Sequence, residues 1–308
     1  MTTPATLCLL PREEAPIDVI TQNPSGICPV NQRAYHAVKS PTTVSASRLR
    51  YYHFSTFDGW YNDNQPAEET DAMALGSLVH CMVNTPELFN SLYKVDDFRQ
   101  AVKKDGTPYA KRTQDPEQKR AWEASAAAGM TVIERDTFLQ ASSMARAAVL
   151  ALNDIFPGRP YLAECAFWAP LELKGIPTPF RAQAMMDLVS EETDTVVDIK
   201  TTSSPVTSPS ALFYTVRKYA YHVQAAFYDF LYYQIMRRPL KRFVFVFVSK
   251  SAPFISRCMI VQRRELDTFV PDLDAALDRL AAAHKLPENE SPSPVIPPIF
   301  YGNDLATS

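Results

Sequence analysis

Apolar residues along the chain fall into two regimes. In the first half they recur at helical spacing. "ETDAMALGSLVHCMVN" (69–84) has an acidic start and apolar side chains at Met73, Leu75, Leu78, Val79 and Met82, which predicts a buried helix. "TVSASRLRYY" (43–52) opens on capping hydroxyls and turns helical, and "TPELF" restarts a helix with Thr85 as cap and Pro86 at its first position. Residues 116–152 are helix-forming throughout, as two helices broken near Gly129. From residue 161 the pattern shortens to strand-like runs: 161–170, 179–190, 195–202, 241–250 and 255–262. A long helical region (210–238) separates the third run from the fourth, and a closing helix (264–285) carries a candidate interruption at Pro271. The order predicts an α/β fold, a mixed sheet flanked by helices with a helical N-terminal half.

The flanks read differently. Residues 1–42 look irregular, and "PENESPSPVIPPIF" begins a proline-rich tail that reads as extended chain (287–308). Between them, 43–286 reads as one domain, with a helical part (43–155) and a sheet core (160–286). Residues 99–120, with "KKDGTPYAKR", read as a polar, basic loop.

Composition narrows the chemistry. The 308 residues, 46% hydrophobic, can bury a sizeable core. A net charge of -3 excludes a globally basic protein, so nucleic acid would have to meet local basic patches or a cationic surface inside an assembly. The five cysteines lie far apart without C-x-x-C, which argues against zinc ribbons, iron–sulfur clusters and disulfides, and fits a reducing cytoplasm. The N-terminal stretch has no basic leader, and no apolar segment approaches the roughly 20 residues of a membrane span. With 8 glycines there is neither a P-loop nor G-x-G-x-x-G.

"TVVDIKTTSS" (195–204) raises the sharpest question. Strand alternation puts Val197 and Ile199 on one face and Asp198 and Lys200 on the other. If "SEETD" (190–194) closes a hairpin centred between Glu192 and Thr193, Asp187 faces Asp198 across it. Carboxylates about 5 Å apart repel, and they share a proton or a cation. Two hard oxygen ligands suit Mg²⁺, with positions left open for water and phosphate oxygens. A neighbouring lysine can orient the attacking water or offset developing charge. The plain alternative is an amphipathic strand with one solvated face.

"MMDLV…VVDIKTT" resembles the core of the PD-(D/E)xK nuclease superfamily. Gln224 and Tyr228 match the Q-x-x-x-Y helix of the branch that includes RecB-type, lambda-exonuclease-type and RecE-type (exonuclease VIII-like) enzymes. "AMALGSLVHCMV" with His80 resembles the RecE helix that carries a histidine metal ligand, and "AECAFW" with Glu164 resembles the acidic first strand. The ordered set spans roughly residues 43–280. The resemblance implies His80, Asp187 and Asp198 as metal ligands, with the Ile199 carbonyl as a further one, and Lys200 as the catalytic lysine. It implies that Gln224 and Tyr228 position the scissile region, and that Glu164 touches a second metal or structures the site. Many relatives carry an arginine two or three residues before the first aspartate. Here Ala184 and Met185 stand there, and Arg181 is further off.

The same resemblance implies Mg²⁺, with Mn²⁺ able to substitute, at one or two ions per site. It implies 5′ to 3′ degradation of linear duplex DNA in a bacterium or phage-infected host, leaving 3′ single strands. A ring-shaped trimer or tetramer and a RecT-type single-strand annealing partner go with it. Candidate DNA contacts are Ser45, Ser47, Arg48, Arg181, Thr201, Arg217 and Lys218, with Arg237, Arg238, Lys241, Arg242, Lys103, Lys104, Lys111 and Arg112 as further basic positions. Each has a bland reading as well: His80 as a core histidine, Glu164 as a surface strand position, Tyr221, Gln224 and Tyr228 as a core stripe, and the basic clusters as solvated faces. An endonuclease or single-strand-specific enzyme of the superfamily, or a catalytically silent nucleic-acid scaffold, are the alternative functions.

Overall fold

The computed structural model describes residues 7–10, 18–30, 35–36, 38, 40–66, 70–96, 103, 107, 116–287 and 290–293. Its main sheet is built on five long strands. They are preceded in the chain by β1 (Cys8–Leu9), β2 (Gly26–Pro29), β3 (Thr43–Val44), β4 (Tyr93–Asp96) and β5 (Thr131–Glu134). The five are β6 (Pro160–Leu171), β7 (Phe180–Ser190), β8 (Thr195–Thr202), β9 (Arg242–Ser249) and β10 (Ser256–Gln262). The sheet runs β1-β6-β7-β8-β9-β10, with β2 also on β6 and β3 on β7. Pairing is antiparallel along β6-β7-β8, parallel between β8 and β9, and antiparallel again at β10.

The parallel step needs a crossover. Helices α6 (Pro209–Lys218) and α7 (Tyr221–Met236) supply it. The remaining long helices are α1 (Ala46–Phe54), α2 (Thr56–Asp63), α3 (Asp71–Asn84), α4 (Pro116–Ala127), α5 (Arg135–Ile155) and α8 (Val270–His284). β9 lies between two layers, so its residues are apolar on both faces. Phe243, Phe245 and Phe247 pack with α1, α6, α7 and α8. Val244, Val246 and Val248, with Val197 and Ile199 of β8, pack with α3 and α5 on the other face. The alternation expected of β8 is thereby observed.

The β7–β8 hairpin has the expected register: Ser190 pairs with Thr195, Val189 with Val196 and Leu188 with Val197. Its turn is a short 3-10 segment, Glu191–Thr193, closed by Asp194 in the left-handed region (φ 47°). Aspartate tolerates that region better than most residues. Its carboxylate accepts hydrogen bonds from the Tyr232 hydroxyl at 3.0 Å and from Arg238 Nε, and pairs with Lys241 Nζ at 3.0 Å. Arg238 and Lys241, read as candidate phosphate contacts, are thus tied to the turn.

Burial pushes the Asp194 carboxyl up, but bonds from Lys241, Tyr232 and Arg238 outweigh it and hold the pKa below the ordinary value. A depressed carboxyl stabilises the fold above its unfolded pKa, ~3.9, and that contribution is lost as pH falls through the folded value. Asp194→Ala should cost about 1–3 kcal/mol near neutral pH. In urea denaturation the difference from the unmodified protein should shrink below roughly pH 4.

Several expectations need correction. Residues 8–9, 18–22 and 26–29 form short elements, and β1 and β2 extend the sheet, where an irregular segment was expected. Thr131-Val132-Ile133 form β5, parallel to β4, inside a region whose alanine-rich flanks read as helix. The region 210–238 is two helices, because Ala220 adopts φ 51°. Thr85 makes no side-chain cap, and a 3-10 turn, Pro86–Leu88, precedes the short helix Phe89–Leu92. The closing helix is split as Pro271 suggested, into Arg263–Asp267 and α8. Most of the basic 99–120 loop, including Lys104, Lys111 and Arg112, and the tail from residue 294 lie outside the described residues, and no described helix is long and apolar enough to cross a membrane.

Candidate active site

Strand register aligns three acids in one row. Ala163 pairs with Leu188 and Cys165 with Met186, which sets Glu164 opposite Asp187. Continued beyond Leu188 and Val197, the β7–β8 register sets Asp187 opposite Asp198. Regular pairing fails along this row. Glu164 takes φ 49°, a strained region for a side chain of this kind. The Ile199 amide donates at 2.7 Å to Asp187 Oδ2. All three acids are buried, each under 10% exposed. Burying three carboxylates side by side is costly unless cations or donors meet them.

Helix α3 supplies two of the partners. His80 and Asn84, four residues apart, lie on one helical face. Asn84 Nδ2 donates to Glu164 Oε1 at 2.7 Å. His80 Nε2 lies 2.9 Å from the Ile199 carbonyl, and its Nδ1 lies 3.3 Å from Asp187 Oδ1. The carbonyl can only accept, so Nε2 carries a proton, and Nδ1 is the atom turned toward the acids. A histidine that donates its far N–H to a backbone carbonyl has the usual orientation of a metal ligand. One donor atom each from His80, Glu164 and Asp187 lies within 4.8 Å of the others. Two carboxylates and one imidazole form a donor set that fits a divalent cation such as Mg²⁺ or Mn²⁺.

Without a cation the charges redistribute. Burial pushes His80 down, but the Asp187 charge and contact, with Glu164, outweigh it and raise the pKa to about 9. Burial raises Asp187, and the opposing His80, Lys200 and Ile199 N–H bring it below the ordinary carboxylate value. Burial raises Asp198 above it, against the Lys200 charge and with help from Asp187. The row is electrostatically loaded, and a divalent cation would relieve it.

The other end of the row positions the lysine. Lys200 Nζ sits 2.7 Å from Asp198 Oδ2 and 4.8 Å from the Tyr221 ring centre. Gln224 Nε2 donates to Asp198 Oδ1 at 2.5 Å, while Oδ2 meets Lys200 as an ion pair. The Tyr228 hydroxyl donates to the Met185 carbonyl at 3.0 Å and fastens α7 to β7. Arg50 lies 4.8 Å from the Tyr221 ring centre and donates from Nε to the Tyr219 carbonyl at 2.6 Å. These groups line a cavity of about 240 Å³ with Ser45, Ser47, His80, Glu164 and Asp187. A larger cavity, about 960 Å³, adjoins it and shares Ser45 and Ser47.

Of the candidate site residues, the structure gathers Ser45, Ser47, His80, Glu164, Asp187, Asp198, Lys200, Gln224 and Tyr228 around this one cavity. Others are placed elsewhere. Arg48 is committed to Asp63 and to the Pro41 and Thr43 carbonyls, a structural clamp rather than a free guanidinium. Arg181 is six residues along β7 from Asp187, roughly 20 Å of extended strand. Thr201 faces Gly76 of α3, and Arg217 is paired with Asp272 at 2.7 Å. Lys218 lies by Tyr219, 5.4 Å from its ring centre. Sequence reasoning missed Asn84 and Arg50. The i, i+4 spacing from His80 could have found the first, and the i, i+3 spacing from Ser47 the second.

His80→Ala should raise the Mg²⁺ concentration needed for half-maximal activity by about 10-fold or more, with the fold intact. Titrating Mg²⁺ beside a thermal melt checks this. A loss of melting temperature with an unchanged Mg²⁺ requirement would mark His80 as a core residue.

The family described as "PDDEXK-like domain of unknown function" matches residues 56–293. No functionally curated protein matches the chain. The solved structure of a candidate exonuclease from Eubacterium rectale has 15% identity and a TM-score of 0.51, covering 82% of this chain and 86% of its own, which shows a shared fold. A phage-related exonuclease from Haemophilus somnus covers 77% of this chain and 92% of its own, at 11% identity and a TM-score of 0.31.

Proposed function

Because the chain belongs to the PDDEXK-like family, we propose that it is a metal-dependent exodeoxyribonuclease acting on linear duplex DNA. The observation that carries this reading is the buried row Glu164–Asp187–Asp198, with His80 at one end and Lys200 at the other. His80, Glu164 and Asp187 would hold Mg²⁺ or Mn²⁺, with Asp198 beside them. When bound, the cation supplies Lewis acidity at the phosphate and makes a nucleophile available near neutral pH.

The chain's own groups do the rest. Lys200 is held by Asp198 and brings its ammonium to the cavity, where it can orient the attacking water and offset charge that grows on phosphate oxygens. Gln224 prevents Asp198 from turning away. Arg50, Ser45 and Ser47 line the cavity and offer a guanidinium and two hydroxyls to the flanking phosphates. Burial of the acids excludes bulk water and strengthens each of these interactions.

The finer reading follows the RecE-type motifs: attack from a 5′ end, a 3′ single strand as product, a ring of subunits around the duplex and a single-strand annealing protein as recipient. A net charge of -3 is compatible with a ring whose basic groups face inward. The test uses matched linear and covalently closed circular duplexes with Mg²⁺ or EDTA. Loss of the linear form alone, with Mg²⁺ alone, is the expected result. Cleavage of the circle would replace this reading with an endonuclease, and binding without cleavage would replace it with a scaffold.

A further inference from the structure

A second group of donors lies where α1, α7 and α8 meet. His222, in the first turn of α7, is fully buried. Its Nδ1 is 3.3 Å from the Val216 carbonyl. A carbonyl only accepts, so that nitrogen carries the ring proton and Nε2 presents a lone pair. The lone pair faces Asp272 Oδ2 at 3.3 Å and has no hydrogen-bond partner among the described residues. Two electron-rich atoms therefore face each other at the edge of the core, His222 buried and Asp272 half-buried, a contact that a cation between them would relieve.

His53, from the last turn of α1, completes the group. Its ring lies edge-on to His222, centres 4.8 Å apart at 85°, and its buried Nδ1 also has no hydrogen-bond partner among the described residues. One donor atom each from His53, His222 and Asp272 lies within 4.8 Å of the others. The site is distinct from the acid row. His222 and Gln224 are two residues apart on α7, so they project about 200° from one another around the helix.

We propose that His53, His222 and Asp272 form a second metal site, which takes a borderline transition-metal ion of the Zn²⁺ class. Two imidazole nitrogens and one carboxylate oxygen are a three-residue zinc set with one position open, and they suit Zn²⁺ better than Mg²⁺. The His222 N–H held by a backbone carbonyl is the orienting contact usual for such ligands. The charges around the site are named by the same contacts. Arg217 NH1 shares Asp272 Oδ2 at 2.7 Å, and Arg279, bonded to the His53 carbonyl at 2.7 Å, stands behind His53. Arg217 is the rival for the carboxylate, and its side chain, 56% exposed, can swing into solvent when a metal arrives. The ion would clamp the end of α1 to the starts of α7 and α8. Of these, α1 carries Ser47 and Arg50, and α7 carries Gln224 and Tyr228, to the acid row.

The test is equilibrium dialysis of the full chain against ZnCl₂ with metal analysis, which does not depend on nuclease activity. Asp187→Asn serves as background, so that zinc at the acid row is removed from the count. In that background one zinc per chain should remain. Adding His53→Gln or Asp272→Asn, both at incompletely buried positions, should weaken its binding by more than about 10-fold. Arg217→Gln should tighten binding several-fold, because the rival cation is gone. Unchanged zinc binding after His53→Gln and Asp272→Asn would overturn the assignment, as would absence of zinc from the Asp187→Asn protein. Weaker binding in Arg217→Gln would remove Asp272 from the ligand set.

Discussion

Lys200→Ala is expected to slow DNA hydrolysis by about 10²- to 10⁴-fold while DNA and Mg²⁺ binding persist. The expectation rests on where the ammonium stands. It is 2.7 Å from Asp198, beside the cavity, and outside the His80–Glu164–Asp187 group that would hold the cation. Removing it leaves the ligand set untouched and takes away only charge that matters when charge develops on phosphate. The fold tolerates the change, because Asp198 keeps the Gln224 bond and burial already raises its pKa. Single-turnover hydrolysis, with DNA binding followed by fluorescence anisotropy, measures both halves. A variant that fails to bind the cation would show that the role assigned to Lys200 is wrong.

Asp187→Asn should be the more severe lesion, with no detectable hydrolysis and no response to Mg²⁺. Asp187 stands in the middle of the row, faces Nδ1 of His80 with one oxygen and accepts from the Ile199 amide with the other. The amide replacement retains shape but removes the charge that a divalent cation needs. A ligand that binds only the folded state raises its stability by mass action. Mg²⁺ should therefore raise the melting temperature of the unmodified protein and leave that of Asp187→Asn unchanged. A preserved Mg²⁺-dependent shift in the variant would place the cation elsewhere.

What was readable in the sequence follows from the range of the interactions involved. The β7–β8 register was legible because a short turn fixes pairing locally, and alternation then decides which way Asp198 and Lys200 point. Gln224 was reached through its resemblance to the Q-x-x-x-Y helix, and it does meet Asp198. Glu164 could be suspected only by resemblance. The β6–β7 connection spans residues 172–179, too long for a turn type to set register, and its left-handed backbone breaks the strand rule. β1 and β2 are short and owe their strand form to the edge of β6. The break at Ala220 has no glycine or proline to announce it; tertiary packing imposes it. Arg48 reads as a phosphate contact in sequence because a free arginine and a clamped one look alike until Asp63 is brought beside it.

On the proposed reading, this row of acids and its lysine hydrolyse phosphodiesters with the help of a divalent cation. The most direct measurement is the release of acid-soluble nucleotide from linear duplex DNA by the unmodified protein and by Asp198→Ala, each with Mg²⁺ and with EDTA. Release is expected only from the unmodified protein with Mg²⁺. Release in EDTA, or by Asp198→Ala at the unmodified rate, would contradict it.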